Sequence, residues 1–162
     1  LVLSSAVEAA EPSTVVEPDG TVEVRLVVDA SADEIRRVLA DTNGVFSTLN
    51  TDIYETESHK KGSCEEVKRR TKGVWRPFNF RSLRCPTKMG FTETLISSAD
   101  LSGYDSTWEL VNTQSGTEII YRVKTQLTSN LPKVLVQKGT LAGAKETMIN
   151  LARALVDTED SL

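Results

Sequence analysis

Histidine, cysteine and aromatic residues are scarce in this chain of 162 residues. It holds one histidine, His59, and two cysteines, Cys64 and Cys85, while Phe, Trp and Tyr together make up 6% of the sequence. A structural zinc site needs about four cysteine or histidine ligands, so no metal site is predicted. His59 lies in the polar run ETESHKKGS and is expected at the surface. No nucleophile elbow, phosphate-binding loop, dinucleotide fingerprint or HExxH motif is present, so we predict no catalytic residue and no cofactor.

Long apolar runs and an excess of positive charge are also missing. No segment approaches the roughly 18 consecutive apolar residues of a membrane span. The formal net charge is −4, whereas a nucleic-acid surface is usually basic, so neither a membrane span nor a nucleic-acid partner is predicted. The length and the hydrophobic fraction of 39% suit one globular domain. The oligomeric state is left open.

The first twenty residues differ in composition from the rest. They are small, apolar and acidic, and include LVLSSAVEA, whose residues Val7, Glu8 and Ala9 follow the small-x-small pattern preferred by signal peptidase. Two interpretations stay open: the end of an export signal, or an N-terminal arm lying along the domain. We therefore divide the chain into an arm, residues 1–20, and a single domain, residues 21–158.

The pattern of apolar and turn-forming residues predicts one long helix after a series of strands. TVEVRLVV reads as a strand, and Ser31 with Glu34 forms a capping box that begins a short helix. A second short helix is predicted around Gly44. Turn chemistry in KKGS, KGVWRP, PTKMG, SADLSGYD and NTQSG separates six further strands, at 53–58, 64–71, 78–85, 91–97, 107–111 and 117–127. The helical period then runs from Pro132 to about Val156.

This order of elements resembles the START-like (SRPBCC) helix-grip superfamily, which includes polyketide cyclases and the coenzyme-Q-binding-protein family. The local sequences VVDASADEIRRVLAD, STWELVNTQSGTEIIYRV and LPKVLV are similar to that group, and the likeness covers residues 20–156. It implies an α+β fold in which a curved antiparallel sheet of six to seven strands wraps around the long C-terminal helix. Two short helices follow the first strand.

The two cysteines bound the segment CEEVKRRTKGVWRPFNFRSLRC. A hairpin centred between Val74 and Trp75 places Cys64 opposite Cys85, within the range of a disulfide. Two buried free thiols are the alternative. A disulfide favours an oxidising compartment, so we expect an exported or periplasmic protein, and a cytoplasmic one if the thiols are free.

The same segment carries seven basic residues against two acidic ones. The hairpin register places Val67, Phe78 and Phe80 on the inner face, so most of the charges should be solvated. A nucleic-acid stripe that uses Trp75 and the arginines is the weaker alternative. Across the turn PTKMG, the pairing also places an arginine, Arg84, opposite Glu93 on the inner face. This pair either reaches solvent at a strand end or orients the polar head of a ligand.

START-like domains usually hold an apolar ligand between the sheet and the helix, and the resemblance turns core residues into candidates for that role. Gly139 and Gly143, one turn apart on the helix, indicate either a close approach of sheet or ligand, or a local kink. An ordinary packed core explains each apolar residue equally well. The candidate ligand contacts, with Phe46 and Trp75 at the mouth, are Phe46, Trp75, Phe78, Phe80, Arg84, Glu93, Trp108, Tyr121, Met148 and Leu151.

Three functions follow from this interpretation. The first is the binding or transport of a hydrophobic small molecule or lipid, with quinone-like compounds as one class. The second is a cyclase or dehydratase that uses the same cavity through Glu93, Arg84 and Tyr121. The third is an interaction module that uses the basic hairpin.

Overall fold

The structure, a computed structural model, describes residues 11–73 and 76–160, and within them it contains eight strands and three helices. The strands are β1 (Ser13–Val16), β2 (Val22–Val28), β3 (Ile53–Lys61), β4 (Cys64–Thr71), β5 (Phe78–Pro86), β6 (Gly90–Ser97), β7 (Leu101–Thr113) and β8 (Gly116–Leu127). The helices are α1 (Ala32–Ala40), α2 (Val45–Thr48) and α3 (Lys133–Asp160). From β2 onward, the predicted order of elements is confirmed.

All strands form one antiparallel sheet in the order β1-β2-β8-β7-β6-β5-β4-β3. Helix α3 packs against β2 and β8. This is the predicted α+β architecture, a sheet that buries one face against a long C-terminal helix. Among the described residues, no helix combines the length and apolarity that a bilayer span requires.

The sheet has one strand more than the six to seven predicted. The additional strand, β1, pairs Ser13 to Val16 with Val22 to Arg25 and lies within the range predicted as an arm. All four of its residues are exposed, so its sequence carries no alternation of buried and solvated positions. Without that alternation, an edge strand leaves no periodic signal.

The prediction of a turn over SADLSGYD is wrong for most of that run. Strand β7 begins at Leu101, which is buried and pairs with Leu127 at the end of β8. Gly103 and Asp105 are typical turn residues. Even so, the long strand β8 pairs with every residue from Leu101 to Asp105 except Ser102. Tertiary pairing therefore overrides the local preference.

The central hairpin has the predicted register. Glu65 faces Arg84, and Cys64 is bonded to Cys85 with their Cα atoms 4.3 Å apart. On the next pair of strands, Arg84 faces Glu93 as predicted. The capping interaction of α1 is also present, because the Ser31 hydroxyl accepts a hydrogen bond from the Glu34 backbone N–H at 3.2 Å.

The main core lies between the inner face of the sheet and the second half of α3. Strands β2, β7 and β8 contribute buried Val, Leu, Ile, Trp and Tyr side chains, among them Trp108, which is 2% exposed. Helix α3 contributes Ala144, Met148, Leu151 and Leu155. Before Ala144 the helix adds no buried residue to this core, and a cavity lies beneath that part of it.

Candidate functional site

A cavity of about 360 Å³ lies between the inner face of the sheet and the first half of α3. Its walls are mainly apolar, and one side opens to solvent. Ligand pockets commonly have this size and composition. The aliphatic part of the lining comes from β3, β7, β8, the segment after β8, and α3, as Ile53, Leu101, Val123, Leu127, Leu131, Leu135, Val136 and Ala144.

One wall of the cavity is aromatic. Phe78 and Phe80 come from β5 and Tyr104 from β7, all on the inner face of the sheet. The ring centroids of Phe78 and Phe80 are 6.1 Å apart, and those of Phe80 and Tyr104 are 5.0 Å apart. These spacings are typical of packed aromatic pairs. The wall offers a row of ring surfaces to an apolar guest.

The helical wall lacks side chains at two positions. Gly139 and Gly143 both line the cavity, and α3 continues through them without a break. A Cβ atom built on Gly143 would meet only the Asn50 amide nitrogen within 4 Å, at 3.4 Å. Each glycine costs a helix about 1 kcal/mol relative to alanine. At Gly143 the missing side chain leaves the helix surface open toward the cavity.

Two tyrosines, Tyr104 and Tyr121, supply phenols to the cavity. Tyr121 stacks on Trp108 with ring centroids 4.0 Å apart. Burial raises the pKa of both tyrosines, that of Tyr121 well above its ordinary value. Both phenols are therefore neutral hydrogen-bonding groups at physiological pH.

Charged residues of the lining lie where the cavity meets solvent. Arg76 donates a hydrogen bond to Asp100 at 2.8 Å, and Asp52 is exposed nearby in the lining. The Arg76 side chain is 69% exposed, so this ion pair contributes little to stability. Polar groups farther inside are uncharged and include Thr71, Thr125 and Thr140.

A buried ionic cluster lies behind the aromatic wall. Arg69 on β4 binds the Glu93 carboxylate on β6 through both of its terminal nitrogens, and the two side chains are 4% and 3% exposed. The Ser82 hydroxyl also donates to Glu93. Burial is the largest single influence on each pKa, but the neighbouring charges and hydrogen bonds together outweigh it, raising the pKa of Arg69 and lowering that of Glu93. Both groups are therefore charged in the folded protein.

Arg84, the second cation of the cluster, is less well satisfied. Its guanidinium carbon lies 4.2 Å from the ring centroids of both Phe46 and Phe91, and its Nε is 3.8 Å from Glu93. One terminal nitrogen donates to Thr42 at 3.4 Å, while Nε and Nη2 have no hydrogen-bond partner. Burial lowers the pKa of Arg84 to about 10. Two aromatic faces thus replace most of the hydrogen bonds that water would supply.

No protein-family model matches the chain, and no curated protein matches its sequence. Solved structures do. A START superfamily protein from Mycobacterium smegmatis has a TM-score of 0.74 at 12% identity, covering 85% of this chain and 98% of that one. The Zhui aromatase/cyclase from Streptomyces sp. R1128 has a TM-score of 0.67 at 14% identity, covering 86% of this chain and 93% of that one. A STAR-related lipid transfer protein from Xanthomonas axonopodis has a TM-score of 0.67 at 15% identity, covering 90% of this chain and 99% of that one.

The chain has the START-like helix-grip fold. At these identities the comparisons establish the fold alone. The ligand of this chain has to be inferred from its own residues. Within the described part of the chain, no group of three or more histidine, cysteine or acidic side chains is placed to hold a metal ion.

The predicted ligand contacts separate into two groups. Phe78, Phe80 and Tyr121 line the cavity. Phe46, Arg84, Glu93, Trp108, Met148 and Leu151 do not belong to its lining, and Trp75 lies outside the described residues. Phe46, expected at the mouth, packs its ring against Trp108 at a centroid distance of 6.1 Å and against Arg84. A role of any of these residues in ligand binding stays a prediction.

One expectation about the charges of the hairpin is corrected, and one is confirmed. The Arg84–Glu93 pair does not reach solvent, because the two side chains are 1% and 3% exposed. Most of the basic run is solvated as predicted, since Lys68, Arg70, Lys72, Arg76 and Arg81 are exposed and only Arg69 and Arg84 are buried. Inner-face alternation places Arg69 beside Val67 and Thr71, and this signal was sufficient to find it.

Proposed function

We propose that this protein binds a hydrophobic small molecule or lipid in the cavity beneath α3 without converting it chemically. The observation that carries this proposal is the cavity itself, about 360 Å³ in volume, with apolar walls and an aromatic row. A packed core would fill this space, and Gly139 and Gly143 are where larger residues would do so. The START-like neighbours include a protein described as lipid transfer, which supports the same function.

Binding is favoured over catalysis by the state of the buried acid. Glu93 is already occupied by Arg69 and Ser82, and it does not line the cavity. A general acid or base must reach a substrate atom within hydrogen-bonding distance. A cyclase is the second candidate, because one structural neighbour is an aromatase/cyclase. The acid predicted for that role in this chain, Glu93, is bound to Arg69 and Ser82 instead.

The test is to fill the cavity from the helix side. Gly143→Leu places a branched side chain into the space that Gly143 leaves open, whereas Ala142→Leu adds the same side chain at an exposed position of the same helix. Titration with Nile red, a neutral fluorescent lipophile, measures binding. We expect Gly143→Leu to weaken Nile red binding about tenfold or more, because the guest loses both volume and contacts, while Ala142→Leu stays within about twofold.

Equal affinities for both variants and the wild type would place the dye elsewhere and contradict the proposal. Circular dichroism and thermal unfolding of each variant establish that the fold is retained. If Gly143→Leu unfolds, Gly143→Ala provides the smaller change, for which an intermediate loss of affinity is expected.

The disulfide supports a further part of the proposal, that the protein works in an oxidising compartment. A bond between Cys64 and Cys85 persists where thiols are not kept reduced. Fractionation of cells that express the full-length gene, with the bond scored by thiol labelling, tests this. Recovery of the protein in a reducing compartment with both thiols free would contradict it.

A further inference from the structure

The charges around the cavity are unfavourable for an anionic ligand. Only three of the described lining residues are charged, namely Arg76, Asp52 and Asp100, and together they carry one net negative charge. The single cation is already paired with Asp100. A carboxylate or phosphate that entered the cavity would lose its hydration without meeting a free counter-ion, which is strongly unfavourable.

The buried cluster behind the wall does not supply a counter-ion within the cavity. Arg69 is bound to Glu93 through both of its terminal nitrogens, and neither Arg69 nor Arg84 belongs to the lining. An anion placed beside the tyrosines would therefore have no cation within hydrogen-bonding reach among the described lining residues.

The phenols do offer a hydrogen-bond donor. Both phenols line the cavity, and each neutral phenol carries one O–H group that can donate a hydrogen bond. The buried carboxylate behind the wall, Glu93, already accepts from Arg69 and Ser82. A ligand with an acceptor atom can therefore meet a phenolic O–H in the cavity.

We propose that the cavity selects a neutral ligand, bearing a carbonyl or hydroxyl oxygen that accepts a hydrogen bond from the Tyr104–Tyr121 pair, over carboxylates and phosphates. The row formed by Phe78, Phe80 and Tyr104 suits a flat ring system in that ligand. This inference rests on the proposed function, because it names the ligand class of the same cavity.

The test compares three probes with one ring skeleton: anthracene, 2-acetylanthracene and anthracene-2-carboxylate. The acetyl and carboxylate groups are nearly equal in shape and differ in charge. Dissociation constants are measured at pH 7 by fluorescence. We expect the ketone to bind about tenfold or more tightly than the carboxylate, and about threefold to tenfold more tightly than anthracene.

Removal of the hydroxyls separates the donor from the shape of the pocket. In the double variant Tyr104→Phe/Tyr121→Phe, we expect the ketone to lose its advantage over anthracene, while anthracene itself binds as before. The single variants each retain one O–H and should lose less. They also serve as the readout if the double variant does not fold.

Two outcomes would overturn the inference. If the carboxylate binds as tightly as the ketone, the cavity does not select against anions. If the ketone keeps its advantage over anthracene in the double variant, the phenols are not its hydrogen-bond donors. Either result leaves cavity binding intact, provided that Gly143→Leu still weakens all three probes. If Gly143→Leu leaves every affinity unchanged, the proposed function itself fails.

Discussion

Arg69 on β4 and Glu93 on β6 form a buried ion pair that spans the intervening strand β5. Arg84, although directly opposite Glu93 in register, makes only a 3.8 Å contact with the same carboxylate. Glu93 therefore binds Arg69 much more closely than it binds Arg84. This difference determines the expected effect of each substitution in the cluster.

The two arginines should differ in their effect on stability. Arg69→Met leaves Glu93 its Ser82 hydrogen bond but removes its hydrogen-bonded cation, and breaking a buried ion pair costs about 3–5 kcal/mol. Arg84→Met removes a desolvated cation with two unpartnered nitrogens and keeps the Arg69–Glu93 pair. We expect this second change to cost less than about 1 kcal/mol, or to stabilise the protein. Urea unfolding of both variants measures the difference, and equal losses would contradict the unequal sharing of Glu93.

The ion pair also predicts acid sensitivity. The pKa of Glu93 lies below its ordinary value of 4.5, because the charge and hydrogen bonds of Arg69, the Ser82 bond and the charge of Arg84 together outweigh the effect of burial, the largest single influence. A carboxyl group whose pKa is lowered by folding stabilises the fold above its unfolded pKa. That contribution is lost as the pH falls from about 4.5 through the folded pKa.

Comparison with Glu93→Gln isolates this titration. The difference in unfolding free energy between wild type and Glu93→Gln should be constant above pH 5 and shrink below about pH 4.5. As a matched control, Glu109→Gln alters an acid whose side chain is 38% exposed and should cost less than about 1 kcal/mol. A difference that stays constant down to pH 3 would show that Glu93 does not titrate in this way.

The disulfide should contribute strongly to stability. The bond closes a loop with a sequence separation of 21, for which the chain-entropy relation gives about 3 kcal/mol. The variant Cys64→Ser/Cys85→Ser should lose this amount in urea unfolding, and reductant should affect the wild type alone. If reductant does not change the stability of the wild type, and its intact mass includes both thiol hydrogens, the protein does not form this disulfide.

Gly143→Ala should improve stability while weakening binding. The added methyl group meets only Asn50 at an ordinary contact distance, and alanine favours a helix by about 1 kcal/mol over glycine. We expect a higher melting temperature together with a lower affinity for Nile red. A gain in stability with unchanged affinity would indicate that the helix surface at Gly143 is not part of the binding site.

Much of the pairing could be predicted because the turns of the sheet are short. The sequence KGVWRP predicts the Cys64–Cys85 pair and PTKMG predicts the Arg84–Glu93 pair, since hairpin register follows from the expected turn centre, and both pairs are present. Alternation along β4 then identifies Arg69 as an inward residue. Its partner was not predictable in this way, because register relates neighbouring strands only, and Arg69 reaches across β5 to β6.

The cavity was harder to predict than the fold. Tyr104 was not predicted as a cavity residue, because it falls within SADLSGYD, where glycine and aspartate indicate a turn. The strand forms there through pairing with β8. Met148 and Leu151 belong to the same apolar face of α3 as Ala144, but they fill the core instead of lining the cavity. Periodicity identifies the buried face of a helix, whereas the division of that face between core and cavity depends on side-chain volumes on the sheet.

The most direct test of the central claim is an NMR measurement of intermolecular NOEs between 2-acetylanthracene and the isotopically labelled protein. We predict contacts from the ring protons of the ligand to Phe80, Tyr121 and Gly143, which line the cavity from β5, β8 and α3. Contacts confined to the exposed side chain of Val134 at the start of α3, or a complete absence of contacts at saturating ligand, would contradict a binding site between the sheet and the helix.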